Sequence, residues 1–211
     1  VAEAIKSGIN LECGGLLQSE VMHAVNKKYL DENDIDEALR GTLRTQMKLG
    51  FFDDNQLNPY RNFGADSVHN TYHMGLARKI AQQSMVLLKN NGVLPLPEDK
   101  YESILVTGAN AASVEAMIGN YHGLSGNIVT MAEGIAAAAG PATAVQYDLG
   151  CSNTDTLHFG GIWASQNSDI TIAVVGLNPT IEGEEGDAFL SASGGDKADL
   201  NIPRSHILLL K

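Results

Sequence analysis

Apolar residues recur along this chain with two different periods. Up to about residue 60 they fall three or four apart, the spacing of helices that bury one face. Val1 to Ser7 reads as the end of a helix stopped by Gly8, and Leu16 to Val25 as a second helix. A third is better marked: Asp34 is placed to cap it with Glu37 three residues on, Ile35, Leu39, Leu43 and Met47 line one side, and Gly50 ends it. Between the first two, Ile9 to Cys13 reads as a short strand closed by Gly14-Gly15. Residues 51–69 are rich in Asn, Asp and Pro, a loop composition. Thr71 to Ser84 is again helical, with Leu76 and Ile80 on one face. Met85–Lys89 and Val93–Leu96 flank Asn90-Asn91-Gly92, which predicts a β-hairpin.

From about Lys100 the pattern changes to short β-branched runs alternating with helices. Ile104–Thr107, Val145–Asp148 and Ile170–Val175 read as strands, with helices at Val114–Ile118, Met131–Ala139 and Phe159–Gln166 between them. This predicts an α/β fold, a parallel-rich sheet flanked by helices. The third strand ends at Gly176 and runs into a loop with four carboxylates in six residues: Glu182, Glu184, Glu185 and Asp187. Loops leaving the carboxyl ends of such strands are where ligands bind. Crowded carboxylates hold one another protonated, and a protonated carboxyl near neutral pH is a general acid. A solvated acidic loop or a calcium loop has the same composition. In an extended loop Glu182 and Glu184 point to one side and Glu185 to the other. Arg204 to Lys211 reads as the opening turns of a further helix, and both ends of the chain read as cuts within a longer polypeptide.

Charge narrows the partners. The formal net charge of −11 repels phosphate backbones, so nucleic acid is not an expected partner. No run is long and apolar enough for a membrane-spanning helix. Cys13 and Cys151 have no metal-ligand spacing. Gly108-Ala109-Asn110 follows a strand and precedes a helix but lacks the G-x-G-x-x-G spacing of a dinucleotide site. His69 and His73 stand at i, i+4, a metal-binding spacing on a helix face, without a third ligand nearby. Ser191–Asp196 lacks the strand–turn–helix setting of a nucleophilic serine.

Several segments together resemble glycoside hydrolase family 3. Ala4–Gly15 is similar to its A-G-x-D-L-x-C-G segment, and Ile35–Asp53 to its I-D-x-A…L-G-x-F-D segment. Leu76–Asn90 with Leu94-Pro95-Leu96 resembles its A-x-x-x-x-V-L-L-K-N…L-P-L signature. Gly119-Asn120-Tyr121, Tyr147–Cys151 and Val174–Glu185 resemble its G-N-Y, Y-x-x-G-C and E-G-E stretches, the last in the form of the β-xylosidase branch. Asn10, Ala188 and His206 depart from the usual Asp, Arg and Gln. The resemblance implies three parts: residues 1–60, the C-terminal remnant of a (β/α)₈ barrel; 61–98, a linker; and 99–211, an α/β-sandwich domain. It implies an exo-acting retaining β-glycosidase, a β-xylosidase or β-glucosidase, with no cofactor or metal. Glu182 is then the first choice for the acid/base and Glu184 the second, while the nucleophile lies outside this chain. Expected partners are an oligosaccharide or aryl glycoside substrate and the remainder of the barrel. Cys13 would face that missing barrel rather than Cys151, and a periplasmic or secreted location is favoured. Two other readings stay open: a non-catalytic carbohydrate-binding or interaction domain of flavodoxin-like shape, and a nucleotide-binding α/β domain.

Overall fold

The computed structural model describes residues 1–97, 100–123, 125–184 and 186–211. By its contacts the chain divides into two compact units, Val1–Leu87 and Leu88–Lys211.

The first unit is helical: α1 (Ala2–Lys6), α2 (Leu16–Asn26), α3 (Glu32–Lys48) and α4 (Thr71–Ser84). Ile5, Ala24 and Leu30 form its buried centre, with Val21, Ile35 and Ala38 packed around them. Helix α3 starts earlier than its pattern suggests, because Asp31 and not Asp34 is the cap. The Asp31 carboxylate accepts from Asp34 N–H at 3.0 Å and the Asp34 carboxylate from Asp31 N–H at 3.0 Å. That reciprocal box also puts Glu32 and Asp34 in the first turn, at the positive end of the helix dipole. Of the α3 stripe only Ile35 reaches the core; Leu39, Leu43 and Met47 are exposed.

Ile9–Cys13 is not a strand: a lone strand leaves its N–H and C=O groups unpaired, and the described strands all lie in the second unit. Local bonds serve instead, with Thr42 Oγ1 donating to Asn10 O at 3.1 Å and Leu17 N–H to Glu12 Oε1 at 2.9 Å. Nor do His69 and His73 share a helix face, since α4 is capped by Asn70 and His69 lies before it at φ 56°. The hairpin expected around Asn90 is only a turn. Asn90 Oδ1 accepts from Gly92 and Leu94 N–H (3.0 and 3.1 Å), but the flanks form no ladder, and Leu87 and Leu88 face solvent. Two isolated strands without a third or a covering helix are marginal in water.

The second unit is built on three parallel strands in the order β2-β1-β3: β1 (Ser103–Thr107), β2 (Ala144–Asp148) and β3 (Ile170–Ala173). In register, Ile104 lies opposite Val145 and Ile170, and Val106 opposite Tyr147 and Ile172. Central β1 is apolar almost throughout because both of its faces are covered. Ile104 and Val106 pack with Ala132 and Ile135 of α6 (Met131–Ala138). On the other face Leu105 shares a cavity wall with Ile162 of α7 (Ile162–Gln166) and Leu209 of α8 (Arg204–Leu209). The short α5 (Val114–Ile118) follows β1. At the amino ends of β1 and β3 the Asp169 carboxylate accepts from Glu102 and Ser103 N–H at 2.8 and 2.9 Å. At their carboxyl ends Gly108 sits at φ +110°, and any Cβ there would collide with the Val174 carbonyl. The glycine of the strand–turn–helix unit thus serves a close crossing of two strand ends.

Candidate functional site

The acidic loop leaves β3 through Val174 and Gly176, and each of its turns is tied to another part of the second unit. Gly176 N–H donates to His206 Nδ1 at 3.1 Å. A backbone N–H only donates, so Nδ1 is the acceptor and the ring proton sits on Nε2, which faces Asn153 Oδ1 at 3.2 Å. His206 has no exposed surface, and burial pushes its pKa below the usual histidine value.

Next comes a pair of buried amides, Asn110 from the β1 loop and Asn178 from the acidic loop. Asn178 Nδ2 donates to Asn110 Oδ1 at 3.2 Å, and Asn110 Nδ2 to Leu177 O at 3.4 Å. Asn178 Oδ1 accepts from Thr180 N–H (3.0 Å) and Thr180 Oγ1–H (2.6 Å). The Asn178 carbonyl then receives the N–H groups of both Ile181 and Glu182, at 3.0 and 3.1 Å.

Glu182 therefore sits in a tight turn and not in an extended stretch, so the alternating-side rule does not govern the glutamates. It is half-buried between buried Ile181 and buried Gly183, whereas Glu184 is exposed. Glu185 lies outside the described residues. The loop after α5 supports this turn from beside it. Asn120 Nδ2 reaches Glu182 O at 3.5 Å, and a Cβ on Gly183 would stand 3.2 Å from the same nitrogen. Tyr121 carries its side chain from a left-handed backbone, φ 54°. The neighbouring Glu184 carboxylate above all, with partial burial and the negative charge of Asp187, pushes its pKa up to about 12. Beyond Glu184, Leu190 N–H closes back on Thr180 O at 2.8 Å and Ala188 is fully buried.

The arrangement presents one half-buried glutamate in a fixed turn, with a second, exposed glutamate two residues on. Among the described residues no three His, Cys, Asp or Glu side chains converge as a metal site. Cys13 is exposed, Cys151 buried, and both are free thiols. Asn110, Asn178 and Tyr121 were not readable as site residues from composition. The signals were their placement in the loops after β1, β3 and α5 and, for Tyr121, the Gly119-Asn120-Tyr121 stretch.

The fold and site define a carboxylate-presenting α/β domain of the open parallel kind, its glutamates at the carboxyl ends of the strands. Residues 85–211 match the glycosyl hydrolase family 3 C-terminal domain, and the chain belongs to that family. It is 38% identical over 191 residues to beta-D-xylosidase 1 of Arabidopsis thaliana, covering 88% of this chain and 24% of that protein. It is 37% identical over 216 residues to beta-xylosidase/alpha-L-arabinofuranosidase 2 of Medicago sativa subsp. varia, covering 99% and 28%. Among solved structures it is similar to a GH3 exo-β-xylosidase (XlnD) in complex with a xylobiose aziridine activity-based probe. That match has a TM-score of 0.82 and 26% identity over 99% of this chain and 26% of the other. A β-glucosidase involved in saponin metabolism from intestinal bacteria shares the fold, with a TM-score of 0.76 at 22% identity over 99% of this chain and 31% of the other. The chain spans about a quarter of the length of the curated relatives it matches.

Proposed function

We propose that this chain is part of an exo-acting, retaining β-glycosidase that removes terminal non-reducing sugars, a β-xyloside ahead of a β-glucoside. In this reading the chain supplies the acid/base from the acidic loop and the nucleophile comes from a segment outside it. Residues 1–60 belong to a barrel domain, 61–98 form a linker and 99–211 a sandwich domain. The observation that carries the proposal is a half-buried Glu182 held in a bonded turn at the carboxyl ends of β1 and β3, in a chain of this family. The names of the relatives favour the xyloside.

Retention uses two carboxyls about 5–5.5 Å apart. One attacks the anomeric carbon. The other protonates the leaving oxygen and then, ionised, takes a proton from the water that releases the sugar. Glu182 suits the second role, because it is half-buried in a turn that the Asn178 carbonyl holds at the carboxyl ends of the strands, so the place its side chain starts from is fixed. Glu184 suits it less, since it is exposed.

The test is Glu182→Gln in the full-length protein. Hydrolysis of xylobiose, whose leaving group needs protonation, falls by about 10²–10⁴-fold in kcat/KM. A dinitrophenyl β-xyloside keeps its glycosylation rate, accumulates the glycosyl-enzyme, and is turned over again when azide replaces water, giving the β-xylosyl azide. If Glu184→Gln shows that pattern and Glu182→Gln does not, the role moves two residues along the loop. If neither loses activity on xylobiose, the loop is only a solvated acidic loop.

A further inference from the structure

We propose that Asn110 is a positioning residue for the acid/base: with Asn178 it forms a buried amide clasp, anchored on the end of β1, that fixes where Glu182 stands. This rests on the assignment of Glu182 above. Among the described residues Asn110 makes no hydrogen bond to a carboxylate of the loop, so the action proposed for it is through the backbone.

The clasp runs without a break from the sheet to the glutamate. Asn110 N–H donates to Val174 O at 3.3 Å, and its side-chain amide to Leu177 O, so one residue holds the chain leaving β3 at two points. Its remaining acceptor, Oδ1, takes the amide of Asn178. Asn178 uses its own side-chain oxygen to close the Thr180 turn and its backbone oxygen to hold Glu182 N–H. Every link is a directional bond, and the two amides at its centre are only 5% and 8% exposed. Buried amides are costly unless satisfied, so these have one arrangement in which their bonds are all made. An apolar pair of the same size would close the same space without setting the direction of the turn. A general acid needs that direction, because a misplacement of about 1 Å costs on the order of 10²-fold in rate. The Gly108-Ala109-Asn110 segment, which lacks the spacing of a dinucleotide site, thus has a role: Gly108 permits the strand ends to cross closely, and Asn110 uses the closeness.

The experiment compares Asn110→Ala in the full-length enzyme on two substrates. On xylobiose kcat/KM falls by about 10²-fold, carried by kcat with KM little changed. On the dinitrophenyl xyloside, where no proton is needed for departure, kcat/KM stays at the wild-type value. In a Glu182→Gln background, Asn110→Ala adds no further loss on xylobiose, since the group it positions is gone. Thr180→Val, which removes one bond at the rim of the clasp while keeping the side-chain volume, gives a smaller loss of the same kind and serves where Asn110→Ala does not fold. Equal losses on both substrates, full additivity with Glu182→Gln, or an unchanged xylobiose rate would each overturn the inference. Glu182→Gln alone tests the underlying assignment: if it leaves xylobiose hydrolysis intact, that assignment falls first. If it shows the acid/base pattern while the Asn110 and Thr180 variants show no leaving-group dependence, only the clasp falls.

Discussion

The helical unit Val1–Leu87 and the sheet unit Leu88–Lys211 place their apolar residues differently. In the sheet unit the most apolar strand, β1, is central, and Leu105 and Val106 have no exposed surface. In the helical unit the three-residue centre of Ile5, Ala24 and Leu30 engages only one end of the stripe on α3. Leu39, Leu43 and Met47 continue that stripe at 41–63% exposure, and Leu76 and Ile80 of α4 are exposed as well. An apolar stripe left exposed at helical spacing is patterned for burial. The relatives are several times longer than this chain, and we propose that the remaining polypeptide covers the face. The sheet unit closes a core from its own elements because consecutive strands and helices are neighbours in space. The helical unit has the amphipathic helices but leaves much of their apolar stripes exposed.

Activity gives the largest separation. This chain by itself is expected to hydrolyse an aryl β-xyloside at the background rate, while the full-length protein accelerates it by 10⁶-fold or more, roughly the lower range for enzymes. Turnover by the purified chain, with a burst of covalent intermediate, would show that the missing polypeptide is not needed for the nucleophile.

Stability sharpens the same contrast. Leu105→Ala, deep in the sheet, should cost about 2–5 kcal/mol in urea unfolding of this chain. Leu39→Ala on α3 should stay within about 0.5 kcal/mol there, yet cost about 2 kcal/mol or more in the full-length protein, where the face is covered. Equal effects of Leu39→Ala in both contexts would mean the stripe is solvent-facing in the whole enzyme too.

The smallest effect is a titration. Tyr121 is held by Glu184 to a pKa of about 12, above its ordinary value of about 10. A group with a raised folded pKa contributes stability that is whole below its unfolded pKa and is lost as pH rises through the folded one, here between about 10 and 12. The ultraviolet difference titration of wild type minus Tyr121→Phe isolates this phenol among the six tyrosines. Its midpoint should fall back toward 10 in Glu184→Gln. A midpoint already near 10 in the wild type would mean that Glu184 does not act on Tyr121.

Much of the fold was legible residue by residue. Ile104–Thr107, Val145–Asp148 and Ile170–Val175 read as strands, and the structure has strands at Ser103–Thr107, Ala144–Asp148 and Ile170–Ala173, the third two residues shorter at its end than its pattern. Thr71–Ser84 and Val114–Ile118 are helices with the limits their patterns set. The misses share a cause. Ile9–Cys13 and the flanks of Asn90 have strand-like residues, but a strand exists only if another strand is beside it, and local pattern carries no information about neighbours. Asp31 and Asp34 are both competent caps, and what selects Asp31 is that each carboxylate then bonds the other's backbone N–H, a matter of geometry and not of residue type.

The acidic loop was visible because four carboxylates in six residues is a feature of composition. What holds Glu182 was not. Asn110 and Asn178 are 68 residues apart, Asp169 and Ser103 66, and His206 and Gly176 30. Each is an ordinary residue in its own segment. They meet because the crossovers set the strand order β2-β1-β3 and bring the ends of β1 and β3 side by side. Sequence by itself determined which segments become strands and helices and where the carboxylates lie, since those follow from short-range sterics, burial period and charge. Which amide faces which carbonyl, and therefore which glutamate is held and which is left exposed, was decided only when the sheet closed, because a hydrogen bond between loops depends on a register that no single loop contains.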